Sequence, residues 1–340
     1  MRMSEERKHL SLKDIAAIAG VSTATVSRIL NRKGNYSPDT EKKVLAVASS
    51  YGYVPNLTAK SLRQAKSNTV GLIVPNVTNP FFSQLALCVE RYLFDEGYSL
   101  LICNSDNDAQ RELTHFHTLA GKGVDGVLCL SSLSALPEDI LDRGLPVVCI
   151  DRKPASSRPV PWVGNDGAYT IQLSTEHLLD KGCRHILFIS SYLGEYNRHD
   201  RQEGYLKALE NRGLFVDRNY ILQRPGLDPT SIEVEVLVYR FLKSGLPLDG
   251  VVTISEAAAF GALFALRQAG LSVPGDVRIV GYDNTLYSLM TTPPLSSIER
   301  NPQKIAHASC ELLLDQIHGK PLPQLSVTVP VQLVERESSL

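Results

Sequence analysis

The chain has 340 residues, of which 43% are hydrophobic and 21% are charged, a composition typical of a folded protein with two or three domains and unlike that of a disordered one. No apolar run approaches the roughly 18 residues that span a bilayer, and the first residues are polar. We therefore expect a cytoplasmic protein without a membrane anchor or a secretory signal peptide.

The net charge of −1 conceals an uneven distribution. Residues 1–66 carry twelve Lys and Arg against five Asp and Glu, a net of +7, whereas residues 67–340 carry 23 against 31, a net of −8. A basic segment suits a polyanion such as DNA, because Lys and Arg that contact phosphates release counterions. On charge alone, a solvated basic surface is an equally good interpretation.

Three helices are predicted in the basic segment. The first begins at Ser11-Leu12-Lys13-Asp14, which has the form of a capping box, and ends at Gly20. The second follows a tight turn and is capped by Ser22. The third starts after Ser37, with Pro38 at its first position. These helices make a compact head.

The predicted second helix has two different faces. Val26, Ile29 and Leu30 recur at helical spacing and should be buried. The opposite face is small and polar, as insertion into the major groove requires, and consists of Thr23, Ala24, Thr25, Ser27, Arg28 and Asn31. We expect Thr23, Ala24 and Arg28 to read bases. A three-helix protein-interaction module is the alternative.

The head resembles that of the lactose-repressor (LacI/GalR) family of transcriptional regulators. Residues 12–16, 20–31 and 51–56 carry the resemblance, which continues to the C-terminus. It implies a helix-turn-helix and a hinge helix at residues 57–63, in which Leu62 enters the minor groove beside Arg63. The predicted DNA-binding residues are Leu12, Lys13, Ser22, Thr23, Ala24, Thr25, Ser27, Arg28, Asn31, Tyr53, Asn56, Ala59, Leu62 and Arg63.

Physical chemistry also favours a hinge that folds on DNA. Seven or eight residues are too few to be helical alone in water, but two copies packed together on DNA could be. An apolar wedge at Leu62 would unstack a base step and bend the duplex. A flexible linker, with Leu62 packed against the rest of the chain, is the alternative.

From Thr69 onward, short apolar runs alternate with helical stretches, which is typical of parallel sheets with crossover helices. Strands are predicted at 70–74, 100–103, 126–130, 147–150, 185–189, 250–254 and 277–282, and helices near 80–96, 168–181, 201–212, 257–269 and 302–317. This alternation predicts two similar α/β lobes. The resemblance implies the fold of a type I periplasmic sugar-binding protein.

The predicted fold class is therefore α/β, with a three-helix head and a two-lobed body of parallel sheets. We expect a DNA-binding domain at residues 1–56, a hinge at 57–66 and an effector-binding and dimerisation domain at 67–340. The first lobe should comprise residues 67–163 with 293–325. The second should comprise 164–292 with 326–340.

Open α/β sheets bind ligands beyond the carboxyl ends of their strands. The residues that follow the predicted strands are Asn79, Phe81, Phe82, Asp106, Asp151, Arg152, Ser255, Glu256, Asp283 and Asn284. Aromatic rings combined with carboxylates and arginines suit a polar small ligand such as a sugar. Each of these residues could instead be a cap or a turn residue, and Phe81 or Phe82 could belong to the core.

The resemblance makes Phe81 and Phe82 ligand-stacking residues, Arg201 a ligand-gripping arginine and Asp283 a cleft acid. The predicted effector site is Phe81, Phe82, Asp151, Arg152, Arg201, Ser255 and Asp283. The chain departs from the family at Ser255-Glu256, where many members carry Asn-Asp, so a usual polar contact to the ligand is altered. The family's glycine in the stretch 304–307 is also replaced.

No catalytic residue, metal site or cofactor is predicted. The expected ligand is a small-molecule effector. Residues 121–126 match Gly-x-Gly-x-x-Gly, but they end a helix and precede a strand, the reverse of a dinucleotide-binding turn. The six cysteines lack a Cys-x-x-Cys pair and are interpreted as buried free thiols. A cleft hydrolase or isomerase and an exported sugar-binding transport component are the alternatives.

The sequence thus predicts a nucleoid-associated transcriptional repressor that reads a pseudo-palindromic operator as a homodimer. A sugar or sugar derivative between the lobes should control operator affinity allosterically. The helix at 80–96 could supply the dimer interface. The C-terminal residues show no leucine heptads, so we expect a dimer and not a tetramer.

Leu62→Ala should distinguish a wedge from a linker. If Leu62 inserts between base pairs, its loss removes the contact that offsets unstacking, at a cost on the order of a few kcal/mol per step. Specific affinity and DNA bending should then fall, whereas the salt slope of non-specific binding should stay unchanged. Anisotropy titrations and gel bending assays measure both. Equal operator affinity and equal bending in both proteins would make the segment a passive tether.

Arg28→Ala is the contrasting variant. Because Arg28 is expected to act in the major groove, its loss should relax base preference at a cost of roughly 1–3 kcal/mol without abolishing bending.

Overall fold

The computed structural model describes residues 10–30, 34–53, 66–192, 194–225 and 230–340. The chain divides into two compact units, Met1–Ser67 and Asn68–Leu340. Residues 57–65 of the predicted hinge lie outside the described residues. In the part of the chain that is described, no helix is long and apolar enough to cross a membrane.

The described residues of the first unit form three helices: α1 (Leu12–Ala19), α2 (Thr23–Leu30) and α3 (Pro38–Ser50). The capping box at α1 is closed, because the Ser11 hydroxyl accepts from the Asp14 amide and the Asp14 carboxylate accepts from the Ser11 amide. Gly20 ends α1 in the left-handed conformation, at φ 66°. All three helices contribute to one apolar core, which includes Ile15, Val26 and Val44.

The second unit is an α/β body. Its elements in chain order are β1 (Thr69–Val74), α4 (Pro80–Asp95), β2 (Ser99–Asn104), α5 (Ala109–Gly121), β3 (Gly126–Cys129), α6 (Glu138–Asp142), β4 (Val147–Ile150), β5 (Trp162–Gly164), α7 (Gly167–Asp180), β6 (Ile186–Tyr192), α8 (Gly194–Glu210), β7 (Ile221–Pro225), α9 (Ser231–Lys243), β8 (Gly250–Thr253), α10 (Glu256–Gln268), β9 (Arg278–Asp283), β10 (Ser296–Glu299), α11 (Pro302–Ile317), β11 (Ser326–Thr328) and β12 (Gln332–Val334). Short 3-10 helices lie at Arg218–Tyr220, Leu286–Leu289 and Glu337–Ser339.

Two sheets, each with six strands among the described residues, define the two lobes. The first has the order β11-β5-β4-β3-β1-β2 and the second the order β12-β10-β9-β8-β6-β7. All neighbouring strands are parallel except β12, which runs antiparallel to β10. The predicted α/β fold with two parallel lobes is confirmed, with β12 as the exception.

The chain passes between the lobes near residues 164, 299 and 329. The first passage agrees with the predicted boundary after residue 163. The other two lie several residues beyond the predicted boundaries at 292/293 and 325/326, because β10 pairs with β9 of the second sheet and β11 pairs with β5 of the first. The corrected boundaries place Arg300 at a passage between the lobes.

A single buried side chain connects the three passages. The Asn165 amide nitrogen donates to the carbonyl oxygen of Arg300 at 3.2 Å and to that of Val329 at 2.9 Å. Its carbonyl oxygen accepts from Nε of Arg300 at 3.0 Å. Asn165, which directly follows β5, therefore satisfies the carbonyl oxygens of Arg300 and Val329.

Gly204→Ala should destabilise the second lobe, where α7 and α8 cross closely. A Cβ atom at Gly204 would lie 2.0 Å from the carbonyl oxygen of Ala168, so the helices must separate, at a cost of about 1–3 kcal/mol. Gly121→Ala in α5 is the matched control, because nothing lies within 4 Å of its Cβ position. Urea unfolding measures both. Wild-type stability in Gly204→Ala would contradict the close crossing.

Candidate DNA-binding and effector sites

The turn before α2 is held by its own side chains. The Ser22 hydroxyl accepts from the Thr25 amide at 3.1 Å and lies 2.9 Å from the Thr25 hydroxyl. Because these groups bond to each other, Ser22 and Thr25 hold the start of α2 in place.

The exposed face of α2 contains Thr23, Ala24 and Arg28, whereas Val26 and Ile29 are buried. Ser27 is half-buried. The helix thus presents a small polar face that ends in an arginine, which is the arrangement that base reading in the major groove requires.

The other predicted DNA-binding residues fall into two groups. Lys13 is exposed near the start of α1, whereas Leu12 and Tyr53 are half-buried against the core of the first unit. Burial raises the pKa of Tyr53 above its ordinary value. The remaining predicted residues, Asn31, Asn56, Ala59, Leu62 and Arg63, lie outside the described residues.

Arg300 is buried where residues of the two lobes meet, and is only 3% exposed. Its Nη2 atom contacts Oδ1 of Asp151, which follows β4 in the first lobe. Its Nη1 atom donates to Asp283, at the end of β9 in the second lobe, at 3.1 Å. The guanidinium also lies 3.9 Å from the ring centre of Phe81. A buried cation is thereby neutralised from both lobes.

Arg201 of α8 adds a second cation. Its Nη2 atom lies 3.7 Å from Oδ2 of Asp151, and its guanidinium lies 5.0 Å from the ring centre of Tyr282. Asp151 thus pairs with two arginines, one of them from the opposite lobe.

The pKa values of the two carboxylates of the cluster are shifted in opposite directions. Burial alone would raise the pKa of Asp151, but Arg300, Arg201 and Arg152 together lower it below its ordinary value. For Asp283, burial dominates over Arg300, and nearby Glu256 adds to it, so the pKa rises to about 6. The Asp151 contact therefore stays charged at a lower pH than the Asp283 contact.

The structure brings Phe81, Asp151, Arg201 and Asp283 together around Arg300. The rings of Phe81 and Phe82 pack edge to face at 5.7 Å and belong to the first lobe's core. They are 1% and 5% exposed, respectively. In this arrangement the face of Phe81 packs against Arg300, a contact that the sequence prediction of ligand stacking did not anticipate.

Arg152 and Ser255 bond within their own lobes. Nη1 of Arg152 donates to the Ser132 hydroxyl at 3.0 Å, and the Ser255 hydroxyl caps α10 by accepting from the Ala258 amide at 3.2 Å. Other residues that follow strands also have local partners: Asn79 caps α4, Asp106 pairs with Arg111, Glu256 accepts from Thr285 and Ser288, and Asn284 bonds to Glu299 and Arg336.

Sequence reasoning missed Arg300 and Asn165. Each directly follows a short strand, β10 or β5, that was not predicted. The available signal was a polar residue directly after a short stretch that contains a β-branched residue, in Ser-Ser-Ile-Glu-Arg and Trp-Val-Gly-Asn.

A cavity of about 910 Å³ opens beside the cluster. Asp151, Asn165 and Arg201 line it together with Lys153, Arg158 and Trp162. Its volume lies within the range of small-molecule sites. Within the described ranges, no group of three or more His, Cys, Asp or Glu residues could hold a metal ion.

Asp283→Asn should remove a pH-dependent loss of stability. Because the folded pKa of about 6 exceeds the ordinary 3.8, the native state binds this proton more tightly, and stability falls as pH rises between these values. Asn keeps an oxygen for Arg300 but cannot ionise. Relative to wild type, the variant should gain up to about 3 kcal/mol across this range and then level off.

Unfolding free energies from about pH 2 to about pH 8, an interval that brackets both pKa values, provide the measurement. Asp276→Asn is the control of opposite sign, because hydrogen bonds from Ser272 lower the pKa of Asp276. That variant should lose stability relative to wild type as pH rises to the ordinary value of 3.8, and the difference should level off above it. A difference between Asp283→Asn and wild type that does not change with pH would contradict the burial of an acid at this position.

Comparisons with known proteins agree with this architecture. Residues 11–56 match the model of bacterial regulatory proteins of the lacI family, and residues 175–339 match that of a periplasmic binding protein-like domain. The ribose operon repressor of Halalkalibacterium halodurans is 32% identical over 97% of each chain. The transcriptional repressor PurR of Actinobacillus pleuropneumoniae is 32% identical over 90% of this chain and 91% of its own.

Solved structures share the fold. The lac repressor dimer bound to operator and the anti-inducer ONPF has a TM-score of 0.84 at 24% identity, covering 98% of this chain and all of that one. The complex of the regulator CelR with cellobiose has a TM-score of 0.72 at 28% identity, covering 97% and 99%. With its helix-turn-helix unit and two-lobed body, the chain belongs to the LacI family of bacterial regulatory proteins and is a DNA-binding transcriptional regulator, not an enzyme.

Proposed function

We propose that this regulator is a repressor that binds, as a homodimer, an operator with two half-sites, and that a small ligand between its lobes controls operator affinity. The single observation that carries the DNA-binding part is the exposed polar face of α2. Its proposed place of action is the nucleoid in the cytoplasm. Relatives named for the ribose operon and a neighbour bound to cellobiose support a sugar or sugar derivative as the ligand.

The proposed DNA contacts divide by chemistry. Thr23, Ala24 and Arg28 read base edges, because they lie on the exposed face of α2. Lys13 contacts phosphate from α1, and Ser22 and Thr25 support the turn. Leu62 and Arg63 act at the hinge, on the sequence argument alone.

The proposed effector site comprises Asp151, Arg201 and Asp283, with Arg300 added. Phe81, Phe82, Arg152 and Ser255 form its surroundings. Asp151 belongs to one lobe, and Arg201 to the other. A ligand that competes for this ion pair therefore interacts differently with closed and open lobes, which is the requirement for an allosteric effect.

The proposed dimer uses apolar residues that the body leaves exposed. On α4, Leu87 and Phe94 are 47% and 72% exposed. The neighbouring edge strand β2 exposes Leu101 and Ile102. In the second lobe, the 3-10 helix Leu286–Leu289 and the residue after it expose a run of large apolar side chains. Such patches mark interaction surfaces.

Selection of bound sequences from randomised duplex DNA tests the proposed function. We expect a two-fold symmetric consensus for the full-length protein, because a symmetric dimer presents two copies of α2. Arg28→Ala should lose preference at one or two symmetric positions. Arg212→Ala, on an exposed ion pair of the body, should keep the wild-type consensus. Recovery of no consensus would contradict the proposal.

Phe94→Glu and Met290→Glu should each weaken the dimer. A carboxylate at a buried interface position loses its hydration without gaining a partner, and a central apolar contact contributes about 2 kcal/mol or more, roughly a 30-fold change in dissociation constant. Phe215→Glu is the matched control, because Phe215 is also an exposed aromatic residue, 91% exposed, but lies in the loop after α8 and outside these surfaces. Sedimentation equilibrium measures all three. Wild-type dimerisation in both test variants would exclude these surfaces.

A further inference from the structure

The carboxylate of Asp151 pairs with two shielded arginines. It projects from the first lobe and pairs with Arg300 and, at 3.7 Å, with Arg201 of the second lobe. The side chains of Arg300 and Arg201 are only 4% and 12% exposed. Two converging, shielded guanidinium groups are a strong site for a carboxylate or a phosphate, because charge-assisted hydrogen bonds gain strength out of water.

Both arginines have anchors besides Asp151. Arg300 is held by Asn165 at 3.0 Å and by Asp283 at 3.1 Å, and Arg201 lies over the ring of Tyr282. The two guanidinium groups can therefore keep their positions when the Asp151 carboxylate leaves. Asp151, in contrast, follows β4 in the left-handed conformation, at φ 63°, and belongs to the opposite lobe.

We propose that Arg201 and Arg300 form an anion-binding subsite that Asp151 fills in the absence of ligand, and that the effector carries a carboxylate or phosphate group that replaces the Asp151 carboxylate there. The inference rests on the proposed function, because it gives the chemical class of ligand for the same cleft. It also assigns Arg300 as a specificity-determining residue.

Charge balance explains why the replacement selects an anion. An incoming carboxylate or phosphate keeps both arginines neutralised while Asp151 moves to solvent. A neutral sugar that displaced Asp151 would remove the Asp151 carboxylate from Arg201 and leave Arg300 with Asp283, so the buried positive charge would be only partly neutralised, which is strongly unfavourable. A neutral ligand would therefore have to bind without breaking the ion pairs.

The adjacent cavity provides a route to the subsite. Asp151 and Arg201 form part of the wall of this space of about 910 Å³, whose other charged lining residues are Lys153, Arg158, Asp166 and Asp200. A sugar ring would occupy the cavity beside Trp162, while its anionic group reaches the two arginines. The shared chemistry is the anionic group, and sugar acids and sugar phosphates are two sources of it.

Calorimetric titration of the full-length protein tests the proposal with five probes: ribose 5-phosphate, gluconate, inorganic phosphate, ribose and glucose. We expect at least one anionic sugar to bind at least about tenfold more tightly than its neutral counterpart. Tighter binding of the neutral sugars would overturn the proposal. This ranking needs only the wild-type protein.

Asp151→Asn gives the sharper readout, because it removes the internal competitor and keeps the side chain's shape. Anion affinity should rise by about tenfold or more in this variant, and Arg300→Gln should abolish it. Asp180→Asn is the matched control, since Asp180 also pairs with an arginine, Arg212, but on the exposed outer surface. Its anion affinity should equal that of wild type.

An Asp151→Asn variant that binds no anion more tightly than wild type would overturn the displacement of Asp151. If Asp151→Asn raises the affinity for inorganic phosphate by the same factor, that result would support recognition of the anionic group itself. DNA binding is measured on the same preparations. If the wild-type protein showed no sequence preference for DNA, the proposed function would be contradicted. The ligand ranking is measured without DNA and is therefore judged separately.

Discussion

The burial of one guanidinium group is the constraint on which the body depends. A charged side chain that is almost completely removed from water must find partners for its positive charge and its donors. Arg300 finds them in three places: a carboxylate of each lobe and the amide of Asn165. The need to neutralise this cation therefore brings the carboxyl ends of two separate sheets together, at the place where ligands bind in open α/β folds.

The same requirement links the site to the arrangement of the lobes. Asp151 can satisfy Arg300 and Arg201 only when the lobes are close, so the occupancy of the cleft and the relative position of the lobes are energetically coupled. Asp283 contributes less because its burial opposes ionisation. The electrostatic tie between the lobes is carried mainly by Asp151, the carboxylate whose pKa is lowered.

Much of this fold could be predicted from the sequence, because the long strands are apolar and the helices of the head have clear caps. The strands β5, β11 and β12 have three residues each, and their stability comes from partners that no local pattern reveals. The rule that cleft residues follow strands pointed to Asp151 and Asp283, which the structure brings together around Arg300. It did not separate them from Arg152 and Ser255, which bond locally, and it missed Arg300, whose partner Asp151 is 149 positions away.

The hydrogen bonds of Asn165 have a consequence for how the body tolerates changes in chain length. Loops of most proteins accept insertions because few contacts depend on their exact path. Here the amide of one residue bonds to the backbone of the two other passages between the lobes, so an added residue in any passage would displace a donor or an acceptor in another. Among related sequences, insertions and deletions should therefore concentrate in outer loops such as residues 211–217, while the three passages keep a constant length.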